Sequence, residues 1–413
     1  MATNILQSVE TYQDSALAYL QNYSCFIATA NTKFKDFDKL EAQLGATVNF
    51  TLPTRYTTTN SLVANFQGTE QRLHALTVDK AENVSVSFSA TQFILQARDY
   101  MEEFGKSAIA ELATSVECSV ALNCESGPYR FYGNGVAAID TYLELSDALS
   151  LYRNYGAVKT DTKCYIDDTA VPAIINSGLQ QFTLNRGNKE AMSWELGDFN
   201  RSTWYQSNLL PVHVAGTEGI QDSTLTVVST TLDADGAVTA ITFSGADAAS
   251  DVDSIKLHDR LQFNDSVAGQ ANARFLTFIG HKVSKNQVQF RATADAASTA
   301  GSEVTVSVYP ALQANAGRNQ NINRAITAGM QVSVLPTHRA GMITSGNPLF
   351  LGMPRLPEEV PFPTASKTDP DTGVSMRMYY GSLFGQDQRG MIHDCIWGST
   401  VVPEYSMALI FPE

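Results

Sequence analysis

Thr224-Leu225-Thr226-Val227-Val228-Ser229-Thr230-Thr231 is followed by Asp235-Gly236 and then by Ala237-Val238-Thr239-Ala240-Ile241-Thr242-Phe243. β-Branched residues dominate both runs, and apolar side chains recur at alternate positions, the period of a strand with one buried face. Asp-Gly between two such runs signals a tight hairpin. The same character continues through Ile255 to Phe263, Phe275 to Val283, Val288 to Ala292 and Val304 to Val308, with Lys285-Asn286 expected as a second turn. The chain has ten Met, three Trp and five Cys, and none falls between 214 and 312. That stretch holds 11 acids against 6 bases. It reads as an inserted all-β domain over 214–312, a small Greek-key barrel.

The flanks read differently. In the first 22 residues Asn4 can cap a polar-faced helix whose thin apolar stripe is Ile5, Val9, Tyr12, Leu17 and Leu20. Val48, Phe50 and Leu52 alternate up to Pro53, and alternation resumes at Leu76, Val78, Val84, Val86 and Phe88. Between them, 54–74 is polar and Thr-rich, so 46–85 is expected to be a long hairpin whose tip has too little apolar surface to fold back on a core. A long helix is expected over 91–123, with Ala108, Ile109, Leu112, Val116 and Val120 on one face. A second helix is expected over 136–155, with Val136, Ile139, Leu143, Leu149 and Tyr152 sharing a face. Lys163 to Ile166 reads as a buried strand, and Val171 to Leu179 as a short helix with Pro172 in its first turn. Beyond the insertion, Met330 to Leu335 and Leu349 to Leu351 read as strands returning to the parent domain. Met376 to Tyr380, Met391 to Trp397 and Met407 to Phe411 read as an antiparallel meander.

Composition narrows the function. In 413 residues, 44% are hydrophobic and only 17% charged, which is the balance of a folded chain. A net charge of −14 argues against tight binding of nucleic acid or of an anionic membrane, because both need clustered Lys and Arg. Enclosing nucleic acid without gripping it is compatible with that charge. Cys25, Cys118, Cys124, Cys164 and Cys395 form no CxxC pair and are odd in number, so free thiols in a reducing compartment are expected. Glu10 and Asp14 interrupt the N-terminal apolar residues, and no basic n-region precedes them, so no signal peptide is expected. No run of about 18 apolar residues suggests a membrane span.

Four motifs invite a chemical reading and do not sustain it. Gly133-Asn134-Gly135-Val136-Ala137-Ala138 fits a dinucleotide fingerprint, with Asp161, Asp167 and Asp168 downstream. That site needs a buried parallel strand immediately before the glycines, whereas Tyr129 to Tyr132 is short and charged, so a tight turn is expected. Asp369-Pro370-Asp371-Thr372-Gly373 echoes a calcium loop but lacks its glycine and glutamate spacing. Asp247, Asp251 and Asp253 read as a solvated acidic loop. The six histidines, His74, His213, His258, His281, His338 and His393, show no HxxH or HExxH spacing. His393, beside Ile392, Cys395 and Trp397, reads as a core or interface residue. No catalytic residue, cofactor or metal ligand is assigned, and the chain is not read as an enzyme.

The order of these elements resembles the major capsid proteins of tailed phages with the Hong Kong 97 fold. Within that family it is similar to the Salmonella phage P-22 coat protein group, which carries an inserted β-barrel at this place. The resemblance rests on Val84 to Met101, including Gln92-Phe93-Ile94-Leu95-Gln96-Ala97-Arg98-Asp99. It rests also on Leu196-Gly197-Asp198-Phe199 with Asn208 to Val212, on the insertion's strands, and on Ala311 to Leu335 with Asn319-Gln320-Asn321-Ile322-Asn323. It covers most of the chain. It implies an α+β fold: an N-terminal arm (1–45), an extended E-loop hairpin (46–85) lying along a neighbouring subunit, and the spine helix of a peripheral domain (86–126). It further implies an axial domain (127–213 and 313–350), the inserted barrel (214–312), and C-terminal strands of the peripheral domain (351–413). A long charged loop of the family's insertion, which bridges capsomers, is reduced here to the turn Asp233 to Gly236, and the acidic loop 246–254 is the candidate to replace it.

The function so implied is structural: a coat protein that self-assembles, as hexamers and pentamers, into an icosahedral shell around double-stranded DNA. It would be made in the host bacterial cytoplasm and reside in the virion. Its implied partners are other copies of itself, a scaffolding protein, a portal, and decoration or tail proteins, with no membrane. The expected contact residues are Glu10 and Asp14 on the arm, Arg55, Tyr56 and Arg72 on the hairpin, and Asp247, Asp251 and Asp253 on the insertion. Two other readings compete. One is a non-assembling ligand- or receptor-binding protein that uses the insertion, although the insertion has no Trp and only Tyr309. The other is an enzyme that holds a nucleotide at the Gly133 turn.

Overall fold

The computed structural model describes residues 25–32, 44–58, 60, 62–63, 66–89, 106–156, 161–177, 195–221, 224–247, 253–264, 273–358, 364–368, 374–382 and 388–413. The N-terminal stripe Ile5 to Leu20, the start of the long helix at 91–105 and the Asp369 to Gly373 loop lie outside these residues. The chain divides into two compact units.

One unit comprises Met1–Thr51, Leu73–Asn123 and Asn347–Val401. Its described helix runs Lys106–Ala121. Ile109, Leu112, Ala113, Val116 and Val120 are buried, the spacing that one face of a helix requires. A five-stranded sheet surrounds the long strand Gln388–Val401, which pairs with Lys80–Ser89, Ser375–Ser382 and Leu349–Gly352. The helix packs on this sheet, where Trp397 is fully buried and its indole N–H donates to Ser119 Oγ at 3.1 Å. Thr47–Leu52 and Arg72–Thr77 form a separate two-stranded ribbon, closed by Gly45 N to Val78 O and Val78 N to Ala46 O. The run 80–89, read as part of the hairpin, instead joins the sheet of the C-terminal strands.

The other unit comprises Leu52–Arg72, Cys124–Gly346 and Val402–Glu413. Its seven-stranded mixed sheet runs in the order Phe131–Tyr132, Ser406–Pro412, His338–Ser345, Thr162–Asp167, Ser202–Ser207, Glu195–Phe199, with Val212–His213 also paired to His338–Ser345. The central strands are buried almost without interruption, as expected of strands covered on both faces. Helices Tyr142–Asn154 and Val171–Asn176 cover one face through Leu145, Ala148, Leu149, Tyr152, Val171 and Ile174. The second helix therefore starts six residues later than its apolar spacing suggests. Thr141 caps it in a reciprocal capping box with Glu144, and Asn134 Oδ1 takes Val136 N and Ala137 N in a turn. Val136 and Leu143, read as core, are 74% and 68% exposed.

Six strands close into a barrel: Thr224–Leu232, Val238–Ser244, Arg260–Phe263, Gln289–Ala292, Glu303–Leu312 and Gln331–Val334, the last beyond the expected 214–312. Every pairing is antiparallel. Closure leaves no free strand edge. Leu225, Val227, Ile241, Phe243, Leu261, Phe263, Phe290, Val304, Val306, Val332 and Val334 belong to its buried core. The Phe243 and Phe290 rings lie parallel, 6.4 Å apart.

Four expectations about the strands fail, each for a local reason. Gln331–Val334 does not return to the parent sheet. It is the strand that closes the barrel between 224–232 and 260–263. Lys285-Asn286 lies inside the strand Val283–Gln287. That strand pairs with Arg274–Leu276 around a turn where Gly280 and His281 have positive φ. Ile255 to Phe263 is strand only from Arg260, because His258 adopts φ +72°. Ser406–Pro412 leaves the C-terminal meander after Pro403–Tyr405, a 3₁₀ turn, and pairs with His338–Ser345 in the other unit's sheet. The first hairpin turns as expected at Gly236, with Asp233 Oδ1 accepting from Asp235 N and Ala237 N.

Candidate assembly contacts

The described residues of 53–71 form no strand or helix, yet its two legs are tied together. Thr57 N donates to Gln67 Oε1 at 3.0 Å, Gln67 Nε2 returns to Thr57 O, and Tyr56 OH meets Thr69 Oγ1 at 3.3 Å. Its base is fixed by charge. Arg55 Nη2 lies 2.7 Å from Glu404 Oε1, and Arg72 Nη1 lies 3.0 Å from Oε2 while its Nη2 also reaches Oε1. Glu404 is buried in the 3₁₀ turn that ends the long C-terminal strand run, and it receives both guanidinium groups. The Arg55 guanidinium also lies 4.4 Å above the Phe278 ring. Arg318 binds Glu70 at 2.9 Å farther along the segment. Burial pulls the Arg72 guanidinium down, but the hydrogen bonds and charge of Glu404 outweigh it and hold the group above its ordinary range.

The structure thus brings Arg55 and Arg72 together on one carboxylate, while Tyr56 stays half exposed on the segment's own surface. Glu404 escapes a reading of the sequence alone. Its only local signal is that Pro403-Glu404-Tyr405 interrupts two apolar strand runs. The segment is also less polar than its composition suggests. Leu62, Val63 and Phe66 are 108%, 77% and 95% exposed. An end that carries three exposed large apolar side chains is a surface that water disfavours, by about 25 cal/mol per Å².

Asp247 and Asp253 lie elsewhere, at the two ends of the acidic loop. Asp247 N donates to Glu218 Oε1 at 2.7 Å, and Asp253 O accepts from Thr217 N at 3.0 Å. The short helix Thr217–Ile220 therefore pins both ends of that loop. Asp251, Glu10 and Asp14 lie outside the described residues.

The Gly133 turn offers little to a phosphate. Gly133 and Gly135 have φ +107° and +73°, and a Cβ at Gly133 would meet Ile410 O at 2.6 Å. The amide N–H groups of Val136 and Ala137 already donate to Asn134, and the following helix starts only at Tyr142. Among the described residues no three His, Cys, Asp or Glu side chains share a metal-sized cluster, and no helix is long and apolar enough to cross a membrane. Cys118 is exposed on the long helix, Cys25, Cys124, Cys164 and Cys395 are buried, and none of the five forms a disulfide. His393 is buried, and burial pulls its imidazole down to about 4.

Two buried polar arrangements have no sequence signature. Glu117 accepts from the backbone N–H groups of Cys25, Phe26 and Ile27 at 2.6, 2.5 and 3.0 Å. Burial pushes its carboxyl up to about 7, against the lowering effect of those three bonds. His213 lies between Glu125 and Asp259, at 2.7 Å from each.

No protein-family model matches the chain, and no curated protein matches it. Among solved structures it is similar to that of Mycobacterium phage Che8, with 7% identity over 94% of this chain and 90% of that one and a TM-score of 0.44. It is similar to the capsid of Ralstonia phage GP4, with 7% identity over 94% and 89% and a TM-score of 0.43. It is similar as well to a virus-like particle from Pyrococcus furiosus, with 6% identity over 97% and 98% and a TM-score of 0.42.

Proposed function

We propose that this chain is the major capsid protein of a tailed phage: a subunit that assembles with copies of itself into an icosahedral shell enclosing double-stranded DNA. The observation that carries the reading is the segment 53–71. Its base is held on its own subunit by Arg55, Arg72 and Glu404, and its far end presents Leu62 and Phe66 to solvent. A lone subunit gains nothing from an anchored arm with an apolar end, whereas a neighbouring copy buries it. The net charge of −14 suits an inner wall that must hold DNA without trapping it.

On this reading the E-loop is the ribbon Thr47–Leu52 and Arg72–Thr77 with the segment between them, Lys106–Ala121 belongs to the spine helix, and the mixed sheet with helices Tyr142–Asn154 and Val171–Asn176 is the axial domain. The barrel is the inserted domain of the P-22 coat protein group. Its strand order supports a Greek key: 260–263, 289–292 and 303–312 are neighbours in succession, and 331–334 returns beside the first. Arg55, Tyr56 and Arg72 direct the E-loop, and the acidic loop with Asp247, Asp251 and Asp253 faces neighbouring capsomers, as do Glu10 and Asp14 on the arm. Scaffolding protein and portal act during assembly in the host cytoplasm, and the chain performs no reaction.

Deleting residues 54–74 tests the reading. The deletion leaves a soluble, folded subunit that forms no shells. Particles of normal size and yield from that deletion would overturn the assignment of the segment.

A further inference from the structure

The chain enters the barrel through Val212–His213 and leaves it into His338–Ser345, and these two crossings pair side by side, His213 opposite His338. Both imidazoles are buried, 5.2 Å apart. The barrel supplies two consecutive charged residues to meet them, Asp259 and Arg260, and neither is exposed. The body supplies Glu125, from the short helix Asn123–Ser126.

The hydrogen bonds fix the charge of each ring. His213 Nδ1 lies 2.7 Å from Glu125 Oε1, and Nε2 lies 2.7 Å from Asp259 Oδ1. Ionised carboxylates only accept, so both ring nitrogens must carry protons, and His213 is an imidazolium. Arg260 only donates, and its Nη1 lies 2.8 Å from His338 Nε2. That nitrogen therefore accepts, Nδ1 holds the proton and donates to Pro336 O at 2.6 Å, and His338 is neutral. Further bonds tie the two charged residues to backbone. Asp259 Oδ2 accepts from Gly216 N and Lys256 N, and Arg260 Nη2 donates to Cys124 O and Glu125 O. Two negative and two positive charges balance. Farther out, His258 faces Arg291, whose Nη1 lies 2.6 Å from its Nδ1.

We propose that Glu125, His213 and Asp259 form a proton-gated clamp that holds the barrel on the body of its own subunit, closed while His213 is an imidazolium and loosened when that proton leaves. Removing the proton turns one of two short hydrogen bonds into a lone pair facing a carboxylate and leaves a net negative charge in a largely buried site. The proposal does not depend on shell formation.

The titration follows the same geometry. Burial alone would pull the His213 imidazole down, but Asp259 and Glu125 outweigh it and hold it above its ordinary range. Burial would push the Glu125 carboxyl up, but the His213 bond outweighs it and holds the group below the usual range. His338 and His258, pulled down to about 3 and about 4 by burial, are neutral above those values. A raised histidine stabilises the closed state below its unfolded value, and that contribution is lost as pH rises through the folded one. A lowered carboxylate stabilises it above its unfolded value, and that contribution is lost as pH falls through the folded one. The clamp therefore holds from the acid range up to the raised value of His213.

The test uses the full chain with histidine Cε1 labelled for NMR, together with amide hydrogen exchange corrected for intrinsic rates. His213 titrates above 6.5, and protection of Gly216, Lys256 and Leu335 N–H falls by roughly tenfold per pH unit between about 6.5 and its midpoint and levels off above it. In His213→Gln that protection is low and independent of pH, while Val304 and Val306 inside the barrel keep theirs. Glu125→Gln retains one carboxylate, so the clamp stays and its midpoint moves to lower pH. His213 titrating at or below 6.5, wild-type protection that is flat up to pH 9, or an unchanged midpoint in Glu125→Gln each overturns the proposal.

Discussion

Replacing Glu404 by glutamine removes the one charge that Arg55 and Arg72 share. The carboxylate side chain is 9% exposed, and the two arginines are 16% and 26% exposed. Breaking a buried ion pair by deleting one partner costs about 3–5 kcal/mol, while exposed pairs are worth about 1 kcal/mol or less. These partly open arginines fall between the limits, so the loss is about 2–3 kcal/mol. That is a roughly 30- to 150-fold shift toward states with 53–71 released from its base. Arg72 loses the charge that chiefly raises its pKa, and Arg55 keeps its contact with Phe278. Limited proteolysis within 53–71 reads the local release, and urea unfolding reads any global share. A double-mutant cycle with Arg55→Ala isolates the coupling, expected at about 1 kcal/mol or more. If Glu404→Gln is cut no faster than wild type and its stability lies within about 0.5 kcal/mol, the base of the segment is not held by this carboxylate, and the reasoning about an anchored arm fails.

Three further outcomes follow from buried groups. The Glu117 carboxyl is raised to about 7 from 4.5, so its contribution is full below 4.5 and lost as pH rises through 7. Stability between those values should fall by on the order of 3 kcal/mol from this group, and Glu117→Gln should flatten that part of the denaturation profile. A Cβ on Gly398 would stand 1.9 Å from Thr77 O and 2.7 Å from Thr77 C, both backbone atoms, so Gly398→Ala must separate two packed segments and should lower Tm by several degrees or abolish soluble expression. Phe290→Ala opens a cavity among Phe243 and Phe263 in the barrel core and should cost about 3–5 kcal/mol by chemical denaturation.

The barrel was legible where side chains alternate without interruption. Thr224 to Thr231, Val304 to Val308 and, from Val238 on, Ala237 to Phe243 lie in strands, because inward Val, Ile and Phe at every second position have only one way to be buried. Its last strand was not legible, since Met330 to Leu335 has the same pattern whichever sheet it joins, and partner choice is a long-range property. The same ambiguity sent Ser406–Pro412 to an unexpected sheet. The second helix was misplaced because apolar spacing outweighed a plainer signal, the Thr141–Glu144 capping box. The long helix face was read correctly from Ile109, Leu112, Val116 and Val120. Contact residues were harder. Arg55 and Arg72 were chosen as charges on an arm, but their meeting point at Glu404 lies more than 300 residues away. Leu62 and Phe66 were overlooked inside a Thr-rich stretch, because average polarity conceals single exposed side chains.

Electron microscopy of the purified full-length chain, across a concentration series and with sedimentation in parallel, tests the central claim most directly. The account predicts closed shells or tubes tens of nanometres across in the wild type and none in the 54–74 deletion, with both chains folded. A wild-type chain that stays a uniform monomer at every concentration, and also when produced together with the proteins encoded beside it, would contradict it.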